Sequence, residues 1–373
     1  MRRLWKWLVE EQATINARFA VQVAVRVVVL LVLFNGLYIL VQPIETGYPT
    51  LYNWIYPGRT RFLLAHPASN DIFVTETKLP RLLADHVIAQ PRQANEYRVA
   101  VLGSSETWGD RLTSDKTITS VLNGMSLKTP DGRPVRFYNL AIIDPYGLKD
   151  LLIEDYIFGQ PRYKPDMLIW MVNQDTLQRT DYAHEYVVFN PDQAWDLAAR
   201  YPQLPIDPPQ TLPPVWLEHN LWTDRSDISA WLTNQAMGFE YAVTGSDARL
   251  NPNRSYPPLQ PSVVDNWHMG QSVTLEAALD DATRHHVPLL MVSSPILYIV
   301  PGYEAWLPQQ AVAYHFPLLM CNRLLPPQEF LNTRIHMSEN GNRQLGGRIA
   351  PWLDDFWAGK LQDRPVTSCP AAF

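Results

Sequence analysis

Cysteine is scarce in this chain. Cys321 and Cys369 are the only two in 373 residues. Neither belongs to a CxxC or a Cys/His cluster, which excludes a structural zinc site of the finger or ribbon kind. There is no HExxH, no P-loop and no GxGxxG, so the metalloprotease, nucleotide-triphosphate and dinucleotide signatures are missing. No metal and no cofactor is expected. No basic stripe appears outside the N-terminus, and 31 Lys+Arg against 37 Asp+Glu give a net charge of -6, so no nucleic-acid partner is expected. What is plentiful is hydrophobic residues, at 46%, enough for a core and too many for a disordered chain. The 32 prolines and 13 tryptophans imply long, ordered, irregular segments. The length allows one large domain with appendages or two modest domains.

Residues 1–19 carry Arg2, Arg3, Lys6 and Arg18, with Leu4, Trp5, Trp7 and Leu8 between them. This is the pattern of a short amphipathic segment whose tryptophans lie in a headgroup region. Residues 20–42 follow as a transmembrane anchor. Ala20 to Val41 is apolar apart from Gln22, Arg26 and Asn35, and at about 1.5 Å per residue it reaches roughly 33 Å, close to the hydrocarbon thickness. Positive charge flanks only its N-terminal side, which predicts a single-pass membrane protein with the N-terminus cytoplasmic and the main domain extracytoplasmic. A cleaved signal peptide would want a shorter charged region and smaller residues than Leu37 to Val41 before the cut. A buried core helix would leave Arg2 to Arg26 hard to place. Residues 43–94 read as a connector. Gly47 to Ala68 is rich in aromatics and holds Pro49, Pro57, Pro67 and an Arg59/Arg61 pair, suiting an interfacial belt and a packed stalk without chemistry. One short helix is predicted around Pro80 to Ala89.

The main domain, predicted over 95–360, is organised around Tyr97 to Asp110, YRVAVLGSSETWGD. Val99 to Leu102 is a branched apolar run, the composition of a strand buried on both faces. Gly103 ends it and Ser104-Ser105 follow, where a sharp turn would expose a hydroxyl on a rigid element; the plainer alternative is a serine-capped helix. Further strands are predicted at Phe137 to Ala141, Asp166 to Val172 and Val287 to Ser293. Helices are predicted at Gly147 to Phe158, Gln271 to His285, Tyr303 to Leu325 and Ser338 to Ala358. Asn190 to Pro261 holds eleven prolines, too many for regular elements, so an insertion over about 180–265 is expected to wrap the domain, with a helix near Asp227 to Val243. Residues 361–373 read as a loose tail. Strands alternating with helices imply an α/β fold with a parallel sheet covered on both faces. Polar residues then stand at three strand ends: Ser104/Ser105, Asn139 or Ala141, and Asn173. His336 sits just before the last helix. A serine, amide donors and a histidine at one sheet edge is the arrangement acyl transfer needs.

These residues resemble the SGNH (GDSL-type) hydrolase superfamily over residues 95–358. The first block, Gly-Asp-Ser in the superfamily, reads Gly103-Ser104-Ser105 followed by Glu106. This GSSE form is similar to membrane-anchored envelope members, among them D-alanyl transfer proteins. The second block is Asn139-Leu140 followed by Ala141. The third keeps the asparagine, Asn173. The last, Asp-x-x-His, has Thr333 three before His336 and Asn332 four before, and Ser338, Gly341 and Leu345 resemble the usual helix start. The stretch YNWIYPGRTRF resembles the connector of membrane-anchored bacterial SGNH-like proteins.

The resemblance implies a three-layer α/β/α flavodoxin-like sheet and a serine esterase or O-acyl transferase acting on an envelope glycan or similar ester. Ser105 is then the nucleophile and His336 the general base. The Ser105 and Ala141 N–H groups with Asn173 hold the oxyanion. Asn332, Thr333 or a backbone carbonyl fixes the histidine tautomer in place of the usual aspartate, with Asp175, Glu106 and Asp144 as substitutes for the acid. The insertion would cover an acyl-enzyme. The alternative is a catalytically degenerate fold that binds a glycan or serves as a subunit beside a membrane-protein partner. An extracytoplasmic domain would permit the two cysteines to pair, but the long spacing and the loose tail around Cys369 speak against it, and the sequence leaves the pairing open.

Overall fold

The computed structural model describes residues 17–41, 59–62, 79–143, 147–178, 191–206, 220–225, 273–299, 301–331 and 335–372, with single positions between 228 and 239. Two compact units divide the chain: Met1–Thr46 with Thr211–Ser229, and Gly47–Gln210 with Ala230–Phe373. In the first, the helix Ala17–Val41 is long and apolar enough to cross a membrane; an 18-residue window in it has a mean hydropathy of 2.4. Its apolar side chains are open, with Leu33 62% and Leu40 84% exposed. Most of the expected amphipathic segment at 1–19 lies outside the described residues.

The second unit is built on a six-stranded parallel sheet. In chain order the strands are β1 Tyr97–Leu102, β2 Val135–Asn139, β3 Met167–Val172, β4 Leu289–Ser293, β5 Leu318–Met320 and β6 Val366–Ser368. Across the sheet they run β2-β1-β3-β4-β5-β6, all neighbours parallel. Every residue of β1, β3 and β4 is buried, as expected of strands covered on both faces.

Alternate residues feed two separate cores, following the period of two of an extended chain. On one side Ala100, Leu102, Leu168, Trp170 and Met291 pack against the helices Gly147–Gly159, Val273–Arg284 and Pro301–Ala313. On the other, Val99, Val101, Ile169, Met171 and Leu290 pack against Ile118–Gly124 and Glu339–Trp357. Ser338 caps that last helix by accepting the Gly341 N–H at 3.0 Å, and Leu345, Ile349, Trp352 and Leu353 are its buried stripe. The α/β/α class and its parallel sheet are thus as the strand and helix periodicities predict.

Two short strands at one side of the sheet differ from expectation. The predicted helix over Tyr303 to Leu325 ends at Ala313, and β5 follows. A three-residue apolar strand has no period to distinguish it from buried helix. The predicted loose tail contains β6, which pairs with β5 and places Cys369 beside Cys321, where the two form a disulfide. That bond spans 48 residues, a loop for which closure entropy is worth about 4 kcal/mol. Reduction, or Cys369→Ser, is therefore expected to destabilise the domain by several kcal/mol at most, read as a lowered urea midpoint relative to the oxidised protein.

Of the insertion, 191–206, 220–225 and single positions between 228 and 239 are described. Its helix Pro191–Arg200 docks on Gly147–Gly159 through Ala194 and Leu197 and through Arg200, which pairs with Asp155 and with Asp281. Most of the helix expected at 227–243 lies outside the described residues.

Candidate active site

In a sheet with strand order 2-1-3, the chain leaves β1 to one side for β2 and returns to the other for β3. Ligands of open parallel sheets bind at such a switch point, beyond the carboxyl ends of the strands. Ser105 follows β1 there, Asn173 follows β3, and Ala141 follows β2.

The turn after β1 needs a glycine. Gly103 has φ +152°, and a Cβ on it would collide with Thr107 Oγ1 and lie 3.0 Å from the Met171 carbonyl. Ser105–Trp108 is then a single helical turn, closed by Gly109 at φ +85°. The N–H groups of Gly109 and Asp110 both donate to Ser105 O at 3.0 Å, satisfying the turn's last carbonyls.

Two buried cations hold this turn. Lys149 Nζ donates to Gly103 O at 3.0 Å and pairs with Asp150 at 2.7 Å. Arg61, from the connector, donates to Gly109 O at 3.0 Å and lies 4.0 Å over the Trp108 ring, while Trp108 Nε1 donates to Phe62 O at 2.9 Å. The expected stalk without chemistry thus includes a residue seated directly on the turn that carries Ser105. Gly103→Ala is expected to destabilise the domain by about 2–4 kcal/mol through strain and overlap, measured by thermal unfolding, with Ser105 reactivity falling in the same variant.

His336 comes from the loop before the last helix. That loop is closed by a bridge between Phe330 and Met337, by Leu331 N–H to His336 O at 2.8 Å, and by Ser338 N–H to Glu329 O at 2.7 Å. His336 Nε2 stands 2.7 Å from Ser105 Oγ. If Nε2 accepts the serine proton, Nδ1 carries the other hydrogen, and Asp110 Oδ2 faces it at 3.5 Å. That is a charge contact longer than a closed N–H···O bond. Burial drives the His336 pKa from 6.5 down to about 4; the Asp110 charge opposes this and Arg111 adds to it. At neutral pH the imidazole is therefore neutral and able to take a proton. Arg111 also ties the two loops together, its Nη1 donating to Leu331 O at 2.9 Å.

The carboxylate facing His336 Nδ1 is not one that reading the sequence proposed. Asn332, Thr333 and Asp144 lie outside the described residues. Glu106 is fully engaged elsewhere: it accepts from the Ser104 hydroxyl and from Asn173 Nδ2, the latter at 3.0 Å, and burial pushes its carboxyl up. Asp175 stands in the turn after β3, which Asn173 caps, its Oδ1 accepting the Asp175 N–H at 2.8 Å. Asp110 stands instead at the end of the same GSSETWGD stretch, five residues after the serine. The signal for it was Gly109: a one-turn helix stopped by a left-handed glycine folds the next side chain back beside the first.

The oxyanion side is partly committed in the resting structure. Asn173 Oδ1 accepts from Asp175 and Thr176, and one amide hydrogen goes to Glu106. That leaves the second amide hydrogen. The Ala141 N–H donates to Asn139 Oδ1 at 3.2 Å, and Asn139 Nδ2 to Thr107 O at 2.9 Å. Ser105 N–H opens the helical turn, a position with no intrahelical acceptor. The constellation has the parts for nucleophilic attack on an acyl carbon: a hydroxyl on a neutral base, a carboxylate behind the base, and N–H groups nearby.

No protein-family model matches the chain, and no curated protein matches it. Among solved structures, a "putative lipolytic protein of G-D-S-L family" from Desulfitobacterium hafniense DCB-2 matches over 68% of this chain and 98% of its own. The identity is 11% and the TM-score 0.35. The functional reading therefore rests on the site itself.

Proposed function

We propose that this chain is a serine esterase or O-acyl transferase, anchored by a single N-terminal span with its N-terminus cytoplasmic and its α/β/α domain outside, acting on O-acyl groups of an envelope glycan or similar ester. One observation carries the reading: Ser105 Oγ 2.7 Å from His336 Nε2, with Asp110 on the far side of the ring.

Ser105 Oγ attacks the ester carbonyl while His336 Nε2 takes its proton. Asp110 compensates the imidazolium that forms. The tetrahedral oxyanion is held by the Ser105 N–H and the remaining Asn173 amide hydrogen, and by Ala141 once its long bond to Asn139 opens. Collapse expels the alcohol, which takes the proton from His336, and leaves an acyl-Ser105. Water then releases the acid, or an acceptor hydroxyl takes the acyl group, with His336 again as base. The disulfide suits an oxidising compartment, and the positive N-terminal flank suits an inward N-terminus.

The test is acyl release by the full chain in detergent, from 4-nitrophenyl acetate and from an O-acetylated polysaccharide, combined with protease added to intact spheroplasts. Turnover of both esters and trimming of the domain from outside are expected. No turnover, or complete protection of the chain, would contradict the activity or the topology respectively.

A further inference from the structure

Asn35 interrupts an otherwise apolar stretch of the Ala17–Val41 helix, and the structure shows what it meets. Leu221 N–H donates to Asn35 Oδ1 at 2.9 Å, and one turn further along Tyr38 OH donates to Asp224 Oδ2 at 2.9 Å. Tyr38 is 9% exposed against 58% for its neighbour Leu37. The segment 220–225 therefore returns to the C-terminal end of the helix and is bonded to it at two heights.

We propose that this turn is a second membrane contact, a headgroup-level anchor whose partner is the glycerophospholipid interface, with Trp222 as its inserted side chain. The proposal rests on the reading that Ala17–Val41 spans a bilayer. Asn35 and Tyr38 lie six and three residues before the helix end, about 9 and 4.5 Å along the axis, so the turn they hold sits at the end of the span, next to the boundary between hydrocarbon and headgroups.

The turn is built for a place with little water. Asn220 N–H donates to Thr223 Oγ1 at 3.0 Å, and the Trp222 and Thr223 N–H groups donate to Asn220 Oδ1 at 3.0 and 3.1 Å. Asp224 N–H donates to Asn220 O at 2.9 Å. With Leu221 bonded to Asn35, every backbone donor from 220 to 224 has an acceptor. A turn in bulk solvent does not require this, whereas one near hydrocarbon does.

The side chains fit the same place. Leu221 closes an open apolar groove with Leu31, Phe34, Leu37 and Val41, continuous with the helix surface. Trp222 is 75% exposed, and Arg225 lies 4.8 Å over its ring while donating to Trp222 O at 2.8 Å. An indole with a guanidinium beside it presents an apolar body and a polar, phosphate-seeking edge, as interfacial residues do.

The test uses the full chain in nanodiscs of 3:1 phosphatidylcholine and phosphatidylglycerol, with Cys321 and Cys369 kept oxidised. A nitroxide is attached in turn to Trp222→Cys, Leu33→Cys and Lys360→Cys, and collision with oxygen and with a water-soluble nickel chelate is measured. The Trp222 site is expected to read at headgroup depth, with severalfold more oxygen and less nickel collision than the Lys360 site. Asn35→Ala with Tyr38→Phe should return it to aqueous values. Independently, brominated lipid should quench the wild type more than Trp222→Phe. Aqueous values at Trp222 with hydrocarbon values at Leu33 would overturn the anchor and leave the span intact. Shielding of Trp222 from both probes would mean a protein covers it, and also overturns the anchor. Aqueous values at Leu33 would remove both.

Discussion

Ser105→Ala is expected to lower ester hydrolysis by about 10⁴-fold or more in kcat, to the residue of rate that binding and oxyanion donors alone supply. The size follows from where Ser105 stands. Its hydroxyl is 2.7 Å from a neutral imidazole, and removing it leaves His336 with nothing to activate except water. The substitution should cost little stability, since Ser105 lies in a one-turn helix whose bonds are made by backbone groups, the carbonyls of Ser104 and Ser105 accepting the N–H groups of residues 107 to 110. Matching melting temperatures with a collapsed kcat would therefore place the loss in chemistry. A variant that keeps its rate would show that turnover arises elsewhere on the chain.

Asp110→Asn is expected to lower kcat by about 10³–10⁴-fold with little change in KM, the scale seen when a triad aspartate becomes an amide. Asn332→Asp and Thr333→Asp should give no gain, because the position behind Nδ1 is already taken by Asp110. The pH dependence gives a second reading of the same contact. The His336 pKa of about 4 puts the acid limb of kcat/KM near pH 4 instead of 6.5. Asp110 raises that pKa and Arg111 lowers it, so Asp110→Asn should move the limb to still lower pH and Arg111→Gln to higher pH. Unchanged kcat in Asp110→Asn, or a rescue by Thr333→Asp, would assign the acid to the loop before His336.

Much of this was legible in the sequence because the informative residues sit at ends of regular elements. The all-apolar runs of β1 and β3 mark strands buried on both faces, and whatever polar residue follows such a strand in a parallel sheet points to its working edge. That logic alone brings Ser105 and Asn173 together. His336 was legible from the serine-capped helix behind it. Asp110 was not, although it belongs to the very stretch on which the reading was founded. Its approach to His336 depends on the left-handed Gly109 and on Arg61, 48 residues away, holding that carbonyl. No spacing rule carries such a contact. The short strands β5 and β6 were missed because three residues are too few to show a period. The disulfide, an open question in the sequence, is decided by β6, which brings Cys369 to Cys321.

The central claim is that Ser105 is a nucleophile activated by His336. The most direct measurement is fluorophosphonate labelling of the full chain at pH 7, followed by peptide mapping. One adduct on the Ser105 peptide is expected, absent in Ser105→Ala and formed at least about 100-fold more slowly in His336→Ala, the lower end of what a general base supplies. No adduct on the wild type, or an adduct at the same rate without His336, would contradict it.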